Sequence, residues 1–347
     1  MVRRVAITGA SGFIGTALVH HFLERGLEVV ATDWFEPKQE LAGARFIRAD
    51  ISRLEELKGL FDGVDTVFHM AAIPSIARAP DERYEASNVV GTENVVSLAC
   101  QSGVTSIVHM SSSTVYGIPK AIPIPENAPL DPACAYSRSK LRAEEVARAC
   151  LDGEAGLTII RPRVVVGPGR AGIFGLLFGF MKLGLPIPLL GGGNNHFQFT
   201  SVADLSYACE VAALRNQGQG ICRVYNIGSN VERSLKYELE ELIHYAGSKS
   251  RLVGTPSAPV RRLMQGLEKF NLNPLVEEQY RIADVDFVLD TSRAEKELDF
   301  CPQHRNCDGL FAAWDWWSAR GGSGLADIRA WWKPTRQNDL QKVEGQE

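Results

Sequence analysis

The stretch VAITGASGFIG, residues 5–15, decides the fold of this 347-residue chain. Its first four residues form an apolar run that a glycine stops, which predicts a strand, and the residues after Gly12 have helical periodicity that ends at Gly26. Gly9, Gly12 and Gly15 permit a tight turn and a close approach of the backbone to a pyrophosphate, while the helix N-terminus adds N–H donors and partial positive charge. The stretch therefore predicts a dinucleotide-binding loop rather than a glycine-rich turn without a ligand.

The succession of strand and helix continues outward from this loop through the first half of the chain. Short apolar runs predict the strands and helical periodicity predicts the segments between them: strands at 5–8, 28–32, 46–48, 66–69, 106–110 and 157–161, and helices at 13–25, 54–61, 82–100 and 136–150. Such alternation implies an α/β fold, a doubly wound parallel sheet of the Rossmann type with both faces covered.

After about Pro162 the alternation loosens, and glycine and proline become dense. We expect residues 1–165 to form an NAD-binding domain, residues 166–320 to form mainly a smaller α/β substrate lobe with part returning to the sheet, and residues 321–347 to be a tail. The apolar stretch 171–190 is interrupted by a lysine, prolines and glycines. It is therefore expected to hold a buried or site-covering helix from about 172 to 183, not a membrane span.

Composition excludes several classes of function. A formal net charge of −4 gives no electrostatic footprint for nucleic acid. The first strand begins so early that we expect no secretory signal. The seven cysteines show no Cys-x-x-Cys spacing and no His/Cys cluster, which favours reduced thiols and no metal site. We therefore expect a cytoplasmic protein that acts on a small molecule.

The carboxyl ends of the strands carry the candidate site. Asp33, Ala71 and Ser112 each follow such an end, where ligands bind in parallel sheets. A carboxylate at Asp33 can accept both ribose hydroxyls and would repel a 2′-phosphate, and no arginine or lysine directly follows it. This position therefore favours NAD over NADP.

The catalytic chemistry is indicated by Tyr136 and Lys140, which lie on one face of a predicted helix. A neighbouring ammonium and an oxidised nicotinamide lower the pKa of a phenol, so that Tyr136 can accept a proton from a substrate hydroxyl. Ser112 can hold the substrate oxygen. Cys134, close to Tyr136, is expected to be a packing residue.

These residues together resemble the extended short-chain dehydrogenase/reductase family, in its NAD-dependent epimerase/dehydratase branch. The resemblance covers roughly residues 3–318 and rests on the glycine loop, His69-Met70-Ala71-Ala72, the run 111–117 and the Tyr136/Lys140 pair. It implies that Ser112, Tyr136 and Lys140 are catalytic and that the helices at 82–100 and 136–150 form a homodimer interface. It also implies these cofactor-binding residues: Gly9, Gly12, Phe13, Ile14, Gly15, Asp33, Asp50, Ile51, Ala71, Ala72, Asn88, Tyr136 and Lys140.

Departures from the family pattern narrow the reaction. Sugar dehydratases of the family carry an Asp-Glu pair where this chain has Ser113 and Thr114, which cannot perform the acid/base steps of water elimination. Its epimerases commonly have an asparagine at Val164 and an arginine near Phe197, both of which hold the substrate diphosphate. Their replacement weakens the epimerase reading.

Cations elsewhere could replace these anchors. We expect substrate contacts from Ser113 and Thr114 and from at least one of Arg163, Arg170 and Arg281, because arginine suits bidentate phosphate contacts. The alternative for each arginine is a structural or surface role. The run Arg161-Pro162-Arg163 followed by Gly167-Pro168 also resembles the 3β-hydroxysteroid dehydrogenase branch, whose apolar substrate needs no diphosphate anchor.

The expected function is therefore an NAD-dependent nucleotide-sugar epimerase, acting at C4 by transient oxidation to a keto sugar. The alternative is a net dehydrogenase or ketoreductase of a secondary alcohol on a sugar or steroid-like substrate. A non-enzymatic NAD-binding regulator is disfavoured, because Ser112, Tyr136 and Lys140 are all intact.

Overall fold

The computed structural model describes residues 2–37, 40–268, 277–322 and 324. Its strands are β1 (Arg4–Thr8), β2 (Glu28–Asp33), β3 (Arg45–Arg48), β4 (Thr66–His69), β5 (Ser106–Met110), β6 (Gly156–Pro162), β7 (Val164–Val166), β8 (Ile187–Leu190), β9 (Phe199–Ser201), β10 (Cys222–Ile227) and β11 (Leu252–Thr255). Its α-helices are α1 (Phe13–Glu24), α2 (Asp81–Tyr84), α3 (Gly91–Gln101), α4 (Ala135–Ala149), α5 (Phe174–Leu183), α6 (Val202–Arg215), α7 (Leu235–Tyr245), α8 (Ser257–Glu268), α9 (Glu277–Ile282), α10 (Ser292–Leu298) and α11 (Asp308–Ala319).

Seven strands form one parallel sheet in the order β3-β2-β1-β4-β5-β6-β10. This order confirms the α/β fold with a Rossmann-type sheet. The chain reverses direction across the sheet between β1 and β4, which is where a crevice opens at the carboxyl ends of the strands. β10 comes from the second half of the chain and extends the sheet beside β6.

The sheet is buried on both faces because its strands are almost wholly apolar. One core packs β1, β2 and β5 against α1 and α6, and it contains Ile7, Val108 and Leu205. The other core packs the opposite face against α3 and α4, and it contains Val67 and Ile107. Side chains at successive strand positions point to opposite faces, so His69 and His109 lie on the same face as Val67 and Ile107.

The second half forms two further small sheets, β7-β9 and β8-β11, around a separate core. The predicted helix at 172–183 is α5, which begins at Phe174. Phe178 is fully buried between Trp314 and Trp317 of α11, with ring centroids 5.6 and 5.7 Å away. No helix in the described ranges is long and apolar enough to cross a membrane. Trp331, Trp332 and the polar tail lie outside the described residues.

Two helices of the first half differ from their predictions. The predicted helix at 54–61 is only a 3-10 turn, Leu54–Leu57, because the chain then turns through Gly59, whose φ is +76°. The predicted helix at 82–100 is three joined segments. A π-helical turn, Glu85–Val90, separates α2 from α3 and carries Asn88 at its centre. Single π-helical turns inside α-helices are frequent at functional sites.

Candidate functional site

The glycine loop lies between the end of β1 and the start of α1, as the sequence indicates. Gly9 has a φ of +68°, and a Cβ built there would lie 2.6 Å from the Ala71 backbone nitrogen. A Cβ at Gly15 would lie 2.0 Å from the Gly9 carbonyl oxygen, so neither position accepts a side chain. The loop is therefore a cradle of bare backbone at a helix N-terminus, which suits a pyrophosphate.

Asp33 ends β2 directly beside this loop. Its Oδ2 accepts a hydrogen bond from the Ser11 N–H at 3.0 Å, and its Oδ1 accepts one from the Trp34 N–H at 2.8 Å. Burial raises the pKa of Asp33 to about 6, although these backbone hydrogen bonds oppose the rise. The carboxylate is held in one orientation and keeps further lone pairs for a ribose diol.

The surroundings of Asp33 contain two cations that sequence inspection missed. Arg48, which pairs in register with Asp33 on β3, donates from Nε to the Trp34 carbonyl at 2.9 Å. Arg83 of α2 lies over the Trp34 ring, 5.6 Å from its centroid. The sequence shows no cation directly after Asp33, but the pairing of β2 with β3 places Arg48 beside it.

The other expected cofactor residues occupy the same edge of the sheet. The Ala71 N–H donates to Thr8 Oγ1 at 3.3 Å, and Ala72 follows it in the loop. Asp50 Oδ1 accepts from both the backbone and the hydroxyl of Ser52. Ile51 packs on Gly91, where a Cβ would lie 2.6 Å from Ile51 Cδ1. Phe13 and Ile14 are half-buried at the start of α1.

Asn88 has a different set of contacts from the one expected. Its Oδ1 accepts from the Ile73 N–H at 2.7 Å, and its Nδ2 donates to the Ile73 carbonyl at 3.2 Å and to Ser139 Oγ at 2.9 Å. Ser139 Oγ in turn donates to the Tyr136 carbonyl at 2.7 Å. The amide group of Asn88 therefore joins the loop after β4 to α4, and its cofactor contact stays a prediction.

A buried histidine continues this hydrogen-bonded chain towards the glycine loop. Thr92 donates its only hydroxyl proton to the Asn88 carbonyl at 2.6 Å, so Thr92 Oγ1 must accept from His69 Nε2 at 2.9 Å. Thr8 then donates to His69 Nδ1 at 2.7 Å. His69 is thus the neutral Nε2–H tautomer. Burial, aided by the charge of Lys140, lowers the pKa of His69 to about 3, which agrees with this assignment.

The three candidate catalytic residues lie around the carboxyl end of β5. Lys140 is 3% exposed, and its Nζ donates to the Met110 carbonyl at 2.5 Å. Burial lowers the pKa of Lys140 to about 8, against an opposing contribution from Glu144. Ser112 Oγ accepts from the Thr114 N–H and caps the 3-10 turn Ser113–Tyr116. This turn packs on α4, which carries Tyr136.

Arg170 lies in the loop between β7 and α5, close to both the cofactor loop and Tyr136. A Cβ built on the preceding Gly169 would be 3.3 Å from Phe13 Cδ2. Burial lowers the pKa of Arg170, and an electrostatic interaction with Tyr136 opposes that effect. Within the described ranges Arg170 forms no ion pair with a carboxylate. A half-buried guanidinium of this kind is suited to an anionic ligand.

The other two arginines have different surroundings. Arg163 is 3% exposed, and its guanidinium lies between the rings of Phe197 and Phe287, 4.5 and 3.8 Å from their centroids. Arg281 lies on α9, and its carbonyl accepts from Arg261. Arg163 therefore has the position of a core residue. Its packing against the Phe197 ring explains why an aromatic residue stands at position 197.

Ser113 and Thr114 are the remaining expected substrate residues. Ser113 is 1% exposed, which leaves it little surface for a substrate. Thr114 is half-buried, and its Oγ1 is itself buried with no hydrogen-bond partner among the described residues. A substrate contact by either residue stays a prediction.

One group of potential metal ligands appears in the fold that spacing did not indicate. Oxygen and sulphur atoms of Glu238, Glu241 and Cys307 lie within 4.8 Å of one another. Arg305 pairs with Glu241 at 3.0 Å, and burial with neighbouring acids raises the pKa of the Cys307 thiol. A protonated thiol and a neutralised carboxylate are poor metal ligands.

Comparison with known proteins places this geometry in context. The profile of the family described as "NAD dependent epimerase/dehydratase family" matches residues 5–228. An uncharacterised protein of Sinorhizobium fredii is 31% identical over 93% of this chain and 81% of its own length. A UDP-glucose 4-epimerase of Mycolicibacterium smegmatis is 33% identical over 74% of this chain and 84% of its own. The solved structure of MoeE5 in complex with UDP-glucose and NAD has 26% identity and a TM-score of 0.72, covering 91% of this chain and 99% of MoeE5.

Proposed function

We propose that this chain, which belongs to the NAD-dependent epimerase/dehydratase family, is a nucleotide-sugar epimerase that acts at C4. It is an enzyme of the extended short-chain dehydrogenase/reductase type, with NAD as its cofactor. The cradle fits this cofactor, because its backbone turns tightly at a helix N-terminus: a Cβ at Gly9 would collide with the Ala71 backbone, and a Cβ at Gly15 with the Gly9 carbonyl. Asp33 would hold the adenosine ribose, and the loop at Ala71 and Ala72 would line the nicotinamide side.

The bound NAD supplies a reversible hydride acceptor for the substrate carbinol carbon. Ser112 Oγ holds the substrate oxygen, and Tyr136 takes the hydroxyl proton. Lys140 is fixed by the Met110 carbonyl and therefore supports the tyrosinate by its charge. The resulting keto sugar rotates in the site, so that hydride returns to the opposite face of the same carbon. Tyr136 then returns the proton to the same oxygen.

The residues beside Ser112 favour epimerisation over elimination of water. Elimination of water needs an acid and a base in addition to Tyr136. The two residues that follow Ser112 are the buried Ser113 and the neutral Thr114. A site with one proton acceptor suits oxidation and re-reduction of one carbon. The M. smegmatis relative is a UDP-glucose 4-epimerase, which supports the same reaction and substrate class.

Arg170 is the best placed of the three arginines to contact the substrate phosphates. The neighbouring Gly169 approaches Phe13 of the cofactor loop, and Arg170 interacts electrostatically with Tyr136. MoeE5, with a similar fold, holds UDP-glucose. Arg163 is stacked in the core, and Arg281 lies on α9, where its carbonyl accepts from Arg261. Arg170 would thus replace the anchors that are missing at Val164 and Phe197.

The experiment that tests this function compares turnover with and without added nicotinamide. Purified protein is incubated with UDP-glucose or UDP-galactose, and both sugars are quantified by NMR while absorbance at 340 nm follows NADH. We expect interconversion with no added NAD and no accumulating NADH. Stoichiometric NADH would instead establish the net dehydrogenase, which the missing anchors at Val164 and Phe197 favour.

The assembly and compartment belong to the same proposal. The segment 81–101 and α4 lie side by side, as shown by the Arg142–Glu85 ion pair at 2.6 Å. Together they offer the pair of helices through which the family resemblance implies a homodimer. We expect a cytoplasmic dimer, which light scattering of the purified protein would measure as twice the chain mass of 38.1 kDa.

A further inference from the structure

A buried ion pair lies directly beneath the candidate catalytic residues. Glu144 of α4 is 1% exposed and Arg161 of β6 is 2% exposed. The arginine donates from Nε to Oε1 at 2.8 Å and from Nη2 to Oε2 at 2.7 Å, so the contact is bidentate. Neither residue belongs to the proton-transfer chemistry described above.

Each member of the ion pair forms a further hydrogen bond with a residue on one side of Ser112. Ser111 Oγ donates to Glu144 Oε1 at 2.6 Å. On the other side of Ser112, Arg161 Nη1 donates to the Tyr116 hydroxyl at 2.9 Å, and that hydroxyl donates to Asn226 Oδ1 at 2.8 Å. The segment that contains Ser112 is therefore held at both ends by one ion pair.

Glu144 also fixes the same pair to the helix that carries the other two catalytic residues. It lies one turn after Lys140 and two turns after Tyr136, so all three share one face of α4. We propose that the Glu144–Arg161 pair is a positioning device that sets Ser112 at a fixed distance from Tyr136 and Lys140. Arg161 also donates to the Glu126 carbonyl at 3.1 Å, which ties the loop after Tyr116 to the same point.

Stability alone does not account for such a pair. Replacing a buried ion pair with well-packed apolar residues is often neutral or stabilising, because the desolvation of two charges offsets their attraction. The geometry that an apolar pair would lose is the directional contact with Ser111 and Tyr116. Hydrogen bonds to charged groups are strong and short, so they restrict the positions of both partners.

The test removes the hydrogen bonds that join the ion pair to Ser111 and to Tyr116, and it leaves the ion pair itself in place. Ser111→Ala cuts the contact with Glu144, and Tyr116→Phe cuts the contact with Arg161. Two matched controls keep the residue type and burial. Ser106 is buried on β5 and donates to the Ala213 carbonyl at 3.0 Å, and Tyr225 is buried on β10 with its hydroxyl 2.8 Å from Glu297. Neither control contacts the Glu144–Arg161 pair.

Two readouts separate positioning from a general structural effect, and the first rests on the proposed epimerase function. We expect Ser111→Ala and Tyr116→Phe each to lower kcat about tenfold with KM within about twofold of wild type, because misplaced groups slow the chemical step. Ser106→Ala and Tyr225→Phe should keep kcat. The second readout needs no substrate. Amide hydrogen exchange in the segment 112–117 should rise in the two test variants and stay unchanged in the controls.

The outcomes distinguish the two proposals. Full kcat in both test variants, or unchanged exchange at 112–117, would overturn the positioning role while leaving the epimerase assignment intact. A wild-type protein inactive on every nucleotide sugar would overturn the epimerase assignment. Faster exchange confined to the test variants would in that case still support the positioning role.

Discussion

The cofactor side and the substrate side of this site are built in opposite ways. At the cofactor side, bare glycine backbone and Asp33 lie at the ends of neighbouring strands, and their geometry follows from the sheet. At the substrate side, the proposed contact comes from Arg170, in the loop between β7 and α5, with Arg281 of α9 as the alternative. The cofactor side uses main-chain geometry that a local motif encodes, whereas the substrate side uses side chains whose surroundings depend on distant segments.

The largest expected effect is on turnover, after substitution of Tyr136, which lies between the cofactor side and the substrate side. Tyr136→Phe keeps the ring and removes the proton acceptor, so turnover should fall by about 10² or more, in line with loss of a general base. NAD affinity, measured by calorimetry, should be mostly retained. The control is Tyr84→Phe, since the Tyr84 ring lies 6.1 Å from that of Tyr136 and its hydroxyl donates to the Pro74 carbonyl at 3.3 Å. Near-normal turnover of Tyr136→Phe would remove this residue from the mechanism.

A smaller effect is expected on the substrate side alone. Arg170→Ala should weaken UDP-sugar binding by about ten- to a hundredfold, because a lost charge-assisted hydrogen bond costs about 1.5–3 kcal/mol. NAD binding should not change. Arg262→Ala removes an exposed arginine from α8 and serves as the control. If Arg281→Ala weakens UDP binding and Arg170→Ala does not, the phosphate contact belongs to Arg281 of α9.

The same contrast explains which features could be predicted from the sequence. The glycine loop, Asp33 and the Tyr136/Lys140 pair follow from short-range spacing, and the strand order confirms the fold that they imply. Arg163 could not be assigned in this way. Its neighbours Phe197 and Phe287 lie far along the chain, and their rings make it a core residue. Arg48 escaped notice for a similar reason, since only strand pairing places it beside Asp33.

The π-helical turn shows a further limit of periodicity. Residues 82–100 have the pattern of one helix, but a π-helical turn at Glu85–Val90 interrupts it, and Asn88 within that turn contacts Ile73 and Ser139. Glu144 could have been noticed from its position four residues after Lys140. Its partners on β5 and β6 required the assembled sheet.

A third prediction concerns selectivity on the cofactor side. The wild-type protein should prefer NAD over NADP by at least about tenfold, or 1.4 kcal/mol. Asp33→Ala should narrow this preference, because Arg48 and Arg83 near Trp34 remain to attract a 2′-phosphate. Calorimetric titration with NAD and with NADP measures the ratio of their affinities. Asp33→Ala should increase the affinity for NADP, and adding Arg48→Ala to this variant should remove that increase. Equal binding of NAD and NADP by the wild type would show that Asp33 does not select the cofactor.

The smallest expected effect concerns the stability of the cofactor-free protein. The pKa of Asp33 is raised from 3.8 to about 6 by burial. The folded state therefore binds a proton more tightly than the unfolded state, and stability falls as the pH rises through this window. Above about pH 6 the charged carboxylate destabilises the fold. Asp33→Asn removes this charge but leaves only one oxygen to accept from the Ser11 and Trp34 N–H groups, so the net rise in Tm at pH 7.5 should be about 2–4 °C.

The rise in Tm should be lost below about pH 3, where Asp33 is protonated in both states. Asp50→Asn supplies the control, because Asp50 lies at the same edge of the sheet and is less buried than Asp33. Thermal melts of the three proteins across this pH range measure the effect. A stabilisation of Asp33→Asn that persists at low pH would show that packing, and not the charge, is responsible. If the pH dependence is as expected, the ionised Asp33 carboxylate destabilises the cofactor-free fold, which is consistent with its proposed role in cofactor binding rather than in stability.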